Sequence, residues 1–161
     1  MAASDFFVKP KGVEGESGKE NHEKEIEITS WSWAVSNHSS AQSGGGSGSG
    51  KAEPADLTFT AHYGKQSPNL AQRCASGTHL DELKLTGRKA GGKQEDYITI
   101  TLENVFITSV QVSGIQNGEV SESVSCSYKK IKFEYKVQDA TGKLSAGPEF
   151  KWDTEKAKAE N

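Results

Sequence analysis

Four prolines, two cysteines and one methionine are all that these 161 residues contain of those types, and no long apolar run is present. A bilayer-spanning helix needs about 20 consecutive apolar residues, so membrane insertion is not expected. Met1 to Phe7 shows neither a basic n-region nor an apolar h-region. The expectation is a protein made and folded in the cytoplasm, leaving the cell, if it does, by a machine that needs no cleavable signal peptide. Cys74 and Cys126 stand far apart and outside any Cys-x₂-Cys pair. In a reducing compartment they read as small buried hydrophobes rather than as a disulfide. A surplus of either charge is also missing. Nineteen Lys+Arg against 22 Asp+Glu give a net charge of −3, which argues against capture of nucleic acid.

Aromatic residues are present throughout: three Trp, four Tyr and six Phe, within a hydrophobic content of 33%. That supply of large apolar side chains can fill the core of one domain, taken here as residues 1–161. Residues 39–51 include Gly44, Gly45, Gly46, Ser47, Gly48, Ser49 and Gly50, and their composition predicts a flexible loop inside that domain. Too few residues precede it for a separate domain. Residues 154–161 read as a polar tail.

Period-two patterning dominates the rest. Phe6 to Lys9 is a short strand candidate, and Lys11 to Lys24 an extended loop. In Glu25-Ile26-Glu27-Ile28-Thr29-Ser30-Trp31-Ser32-Trp33 the large residues change parity. A bulge near Thr29-Ser30 would return Trp31 and Trp33 to the core, leaving Ser32 facing away. Leu57 to Tyr63 alternates cleanly. Ser67 is a plausible N-cap with Pro68 in the first turn and Gly77 at the end, predicting a helix with an apolar stripe of Leu70, Ala71, Cys74 and Ala75. Leu83 and Leu85 lead a further strand. Ile98, Ile100, Leu102, Phe106, Val110 and Val112 share even parity across a long strand, turned by Asn117-Gly118. The return strand changes parity near Tyr128 to Lys130, and Phe150 and Trp152 mark a last strand. The sum is a mainly β chain, a β-barrel or β-sandwich-like unit of two packed sheets, with one short flanking α-helix.

Reactive chemistry is present only in outline. Gly45, Gly50 and Lys51 match part of a phosphate loop, but Ala52 stands where Mg²⁺ needs Ser or Thr. The histidines lack metal-ligand spacing. No Gly-x-Ser-x-Gly elbow occurs, and Cys74 lies among apolar neighbours. No catalytic residue, metal site or cofactor is predicted. The three tryptophans suit core packing better than a sugar platform, although a monomeric carbohydrate- or peptide-binding β-sandwich is the alternative reading.

Gly15-Glu16-Ser17, His22, Glu25-Ile26, Ser30 to Trp33, and a Gly-rich loop ending at Lys51 follow one another in order. Leu57 to Thr60, Ser67 to Leu70, Cys74 to Gly77, Arg88 to Gly92, Tyr97 to Leu102 and Lys151-Trp152 continue the series. Together they resemble the haemolysin-coregulated protein (Hcp) family of type VI secretion, with Gly87 standing where an apolar residue is expected. The resemblance implies a barrel-like protomer that assembles into six-membered rings, which stack as the inner tube of an injection apparatus. It also implies partners in other copies of the chain, in the spike and sheath components, and in effectors carried in the lumen. On that basis Ser32 is a candidate lumen or cargo-facing residue, and Gly44 to Gly50 a candidate ring-stacking loop.

Overall fold

A computed structural model describes residues 4–37, 52–89 and 94–159. The strands are β1 (Ser4–Pro10), β2 (Ile26–Ser32), β3 (Val35–Asn37), β4 (Ala52–Pro54), β5 (Leu57–His62), β6 (Leu80–Lys89), β7 (Asp96–Gly114), β8 (Val120–Gln138), β9 (Leu144–Asp153) and β10 (Lys158–Ala159). A helix, α1 (Ser67–Ser76), separates β5 from β6. Hydrogen bonding runs β8-β5-β2-β1-β6-β7, and β7 pairs again with β8. The result is a closed six-stranded antiparallel barrel, so those six strands leave no open sheet edge between them. β9 and β10 extend the sheet beside β8, and β3 with β4 forms a separate two-stranded ribbon. Lys158–Ala159 thus folds back on Asp153 and Trp152 rather than trailing away.

Residues paired across antiparallel strands share a face, and the pairing identifies the core. Val8, Ile26, Leu57, Phe59, Leu85, Ile100, Leu102, Val124 and Ile131 are almost wholly buried there. Each such side chain contributes about 1.5–3 kcal/mol by leaving water. The register of β2 on β5 shifts between Ile28 and Ser30, which is the bulge that the sequence predicts. Trp31 then lies opposite the buried Phe59, while Ser32 lies opposite Thr58 on the outer face.

The long strand departs from even parity. Val105 and Ile107 are buried, while Phe106 is 46% exposed. Asn104 takes a positive φ of 51°, a conformation open to Asn at little cost, and this reverses the alternation. A register shift between Ile107 and Ser109 restores it, setting Val110 opposite Val124. In β8 the parity changes between Tyr128 and Ile131, as the sequence predicts. The change is matched on β7, because Glu103 still faces Lys130 and Val105 still faces Tyr128.

The helix is also shifted from its predicted start. Gln66 occupies the N-cap without a side-chain cap bond, and Ser67 is already helical. Ser67 Oγ instead accepts from the Gly64 N–H at 3.0 Å, so its hydroxyl serves the preceding turn. Of the four predicted stripe residues only Leu70 is fully buried. Cys74 is half-buried, and Ala71 and Ala75 are exposed. A helix packed against one strand, β7, has a contact line too narrow for a full stripe. Gly77 closes it in the left-handed conformation at φ 69°.

Gly87 has a local explanation. A Cβ there would lie 2.7 Å from Cε1 of Phe6, so the ring of Phe6 fills the space that an apolar side chain would have used. On the barrel's outer face Phe7 is also fully buried, covered by the segment between β1 and β2. His22 stacks on it at 4.2 Å with an interplanar angle of 3°. His22 Nδ1 lies 2.7 Å from Glu25 Oε2 and its Nε2 lies 2.8 Å from Asp96 Oδ1. Both ring nitrogens of His22 are thus within hydrogen-bond distance of a carboxylate. The loop is thereby fixed to the start of β7.

Candidate functional site

Ser32 is exposed at the end of β2. Its surroundings are rich in hydroxyls. Ser30 lies opposite Thr60, and Ser32 opposite Thr58. Thr58 and Thr60 in turn lie opposite Ser125 and Ser123 of β8. The Oγ atoms of Ser30 and Thr60 are hydrogen-bonded to each other. Thr29 Oγ1 bonds Thr60 Oγ1 at 2.8 Å, and Thr58 Oγ1 bonds Ser125 Oγ at 3.0 Å. This part of β2, β5 and β8 therefore presents a neutral hydroxyl face, in which bonded hydroxyls retain free acceptor positions. The period-two recurrence Thr58, Thr60 and Ser121, Ser123, Ser125 carries the signal in the sequence. Attention to the apolar half of the alternation hides it.

Behind that face lies the aromatic rim that Trp31 and Trp33 build. Trp31 meets Phe6 edge-on at 5.8 Å and Phe133 at 6.2 Å. Trp33 packs on Phe133 at 5.9 Å and Phe150 at 5.6 Å. Both indoles are half-buried and pack against the core. Trp33 Nε1 donates to Tyr128 Oη at 2.7 Å, and Tyr128 Oη donates to the Ala55 carbonyl at 2.8 Å. Rings held by core contacts and internal hydrogen bonds are anchors, which is not the arrangement of a sugar platform.

Burial and the charge of Asp56 raise the Tyr128 phenol above its usual range, while the hydrogen bond from Trp33 pulls the other way. Both cysteines are free thiols. Burial, with the charge of Asp56, pushes Cys126 up to about 12. Among the described residues no group of three or more His, Cys, Asp or Glu could hold a metal ion. In the same residues no helix is long and apolar enough to cross a membrane. His62 pairs with Glu119 at 2.9 Å, and His79 lies against Phe106 at 5.5 Å. The Gly44 to Gly50 segment, the phosphate-loop outline around Gly45, Gly50 and Lys51, and residues Ala90 to Gly92 lie outside the described residues.

A closed barrel with an internally bonded aromatic rim and a neutral hydroxyl face defines a β-barrel scaffold. Comparison with known proteins places this barrel in a family. The family model described as "Type VI secretion system effector, Hcp" matches residues 7–135. Protein hcp1 of Pseudomonas aeruginosa is 45% identical over 155 residues, covering 94% of this chain and 95% of that protein. A solved type six secretion system protein superposes with a TM-score of 0.92 at 28% identity, covering 98% of this chain and 100% of the other. Hcp1 from Salmonella typhimurium gives 0.76 at 30% identity, covering 99% and 100%. The chain belongs to the Hcp family of type VI secretion. The family is structural and non-enzymatic, and its proteins are secreted components of that system.

Proposed function

We propose that the chain is the ring-forming subunit of the type VI inner tube. Six copies close head-to-tail into a ring, rings stack, and the assembly is expelled from the cytoplasm without a cleavable signal peptide. The observation that carries this reading is the family match, which takes in β1 through most of β8 and so all six strands of the closed barrel. A closed ring requires two different, complementary surfaces on each protomer. Spike, sheath and effector proteins are the partners in this reading.

The hydroxyl face around Ser32 is proposed as the lumen lining. Neutral hydroxyls offer donors and acceptors without a fixed charge, which suits transient contact with varied protein cargo. Gly44 to Gly50 is proposed to contact the next ring. Light scattering tests the ring: the expected mass is six times 17.3 kDa. A monomer at every concentration would overturn the reading and favour the single-copy binding module.

A further inference from the structure

The loop between β1 and β2 and the turn after β5 enclose, with β2, a groove of about 400 Å³. Its walls include Glu16, Ile26, Glu27, Ile28, Tyr63 and Gln66. The flanks of Glu16 are pinned, because the amides of Gly15 and Ser17 donate to the carbonyls of Lys24 and Glu25. The opposite wall is pinned as well, by the Ser67 hydroxyl that accepts from the Gly64 amide. A groove with fixed walls needs little ordering around a guest.

Gln66 sets the chemistry. It is 3% exposed, and its Nε2 donates to the His62 carbonyl at 3.2 Å and to Glu122 Oε1 at 2.8 Å. Two acceptors on one side require the nitrogen there, so Oε1 points the other way, toward Gly64. That oxygen lies 2.8 Å from where a Cβ on Gly64 would stand, and Glu16 Oε2 lies 3.1 Å from the same point. Two acceptors thus converge over the bare face of Gly64. Among the described residues neither receives a hydrogen bond: the Gly64 N–H is held by Ser67, and Lys65, the neighbouring cation, pairs with Glu14. Behind the amide Glu122 is 2% exposed, and its Oε2 has no partner. Acceptors left without a donor in such a place are costly. A donor on Gln66 Oε1 would also strengthen the bond from its amide to Glu122.

The missing partner is a donor with no acceptor of its own. An ammonium fits, since it brings three N–H groups to one point and its charge complements Glu16 and Glu27. A guanidinium is a flat fork suited to the two oxygens of one carboxylate, not to oxygens of two different side chains. A divalent metal fits worse, because no group of three or more His, Cys, Asp or Glu among the described residues could hold one. Ile26, Ile28 and Tyr63 supply an apolar wall for a methylene stem, the division of surface that a lysine-like chain requires. We propose that this groove binds the ammonium end of a linear alkyl chain, the chemistry shared by a lysine side chain and a free diamine. Every residue of the groove belongs to one chain, so the site stands independently of the tube reading.

Calorimetric titration of the whole chain tests it, with 1,5-diaminopentane, N-acetyl-lysine amide, butylguanidinium and calcium chloride as probes. One saturable site per chain is expected for an ammonium probe, with butylguanidinium and calcium binding at least about ten-fold more weakly. Glu16→Gln should weaken ammonium binding about ten-fold and leave the thermal midpoint in place, because Glu16 is exposed. Glu82→Gln, at an exposed carboxylate on β6, should change neither. Absence of saturable ammonium binding, equal binding of calcium or butylguanidinium, or equal affinity in Glu16→Gln and parent overturns the site. A loss as large in Glu82→Gln overturns it too, by tracing the attraction to general charge. A diamine that binds at least about ten-fold more tightly than N-acetyl-lysine amide assigns the groove to free diamines, and a smaller margin assigns it to lysine side chains of another protein chain.

Discussion

The indole of Trp33 and the phenol of Tyr128, 95 residues apart, are joined by a 2.7 Å hydrogen bond. Since Tyr128 also donates to the Ala55 carbonyl, one short chain of donors ties the end of β2 to β8 and to the residue following β4. A neutral hydrogen bond of this kind contributes about 1 kcal/mol. Trp33→Phe, which retains the ring but not the donor, should lower stability by about that amount and Tm by about 2–4 °C. Tyr128→Phe should cost at least as much, because the Ala55 carbonyl loses its donor too. Unchanged thermal and urea midpoints in both variants would refute this account of the rim.

Gly87→Ala places a methyl group against the Phe6 ring, at a separation no packed pair tolerates. Overpacking of this sort costs about 1–3 kcal/mol. Pairing it with Phe6→Leu should recover part of the loss, since the smaller side chain leaves room. A double-mutant cycle by urea denaturation measures the coupling; simple additivity would show that the two side chains do not compete for one space.

His22→Phe preserves an aromatic face for Phe7 but leaves the Glu25 and Asp96 carboxylates without their partner. Leaving the buried Glu25 carboxylate without its hydrogen-bond partner costs about 1–3 kcal/mol. The amides of Gly15 and Ser17, which donate to the carbonyls of Lys24 and Glu25, should lose protection from hydrogen exchange while β5 and β8 keep theirs. Equal protection in variant and parent would show that the loop is held by other contacts.

The Cys126 thiol should resist thiol reagents at neutral pH in the folded protein, with Cys74 the faster-reacting group. Its ionisation lies near 9 in an unfolded chain and near 12 in the fold. Between those values the unfolded state has given up the proton and the folded state has not, so stability falls as pH rises through that window. Below pH 9 the contribution is constant. In Cys126→Ala the alkaline fall should be shallower, as read from urea midpoints at a series of pH values; an unchanged slope would assign the effect elsewhere.

Ser32→Gln adds a longer amide to the proposed lumen lining without a charge. Because Ser32 is exposed and packs on no core residue, the ring mass and the urea midpoint should be unchanged. Effector co-purification with the ring should change. If every effector contact survives, the hydroxyl face has no part in cargo binding.

Much of the barrel was legible because its bulk lies in local alternation. The parity change between Ile28 and Trp31 announces a bulge, and Leu57, Phe59 and Ala61 announce a half-buried strand. What sequence could not show depends on backbone torsions or on distant partners. Phe106 follows the even pattern and is nonetheless turned outward, since the positive φ at Asn104 is not written in the alternation. Ser67 has the chemistry of an N-cap but is engaged by Gly64. His22 meets Asp96 across 74 residues, and Gly87 is explained only by Phe6. The hydroxyl face around Ser32 was written in the sequence as plainly as the core, on the complementary half of the same pattern.

The pairing of β1 with β6, from Ser4 with Lys89 to Pro10 with Leu83, has a consequence for biogenesis. β1 has one of its two neighbours close in sequence and the other about eighty residues away, and the barrel shuts only when β8 returns to both β5 and β7. Contacts so distant along the chain make for slow folding. A nascent chain still short of β8 has an unsealed cylinder. Copies therefore become able to associate only after synthesis has passed that strand, which sets the order of events as folding first and polymerisation second.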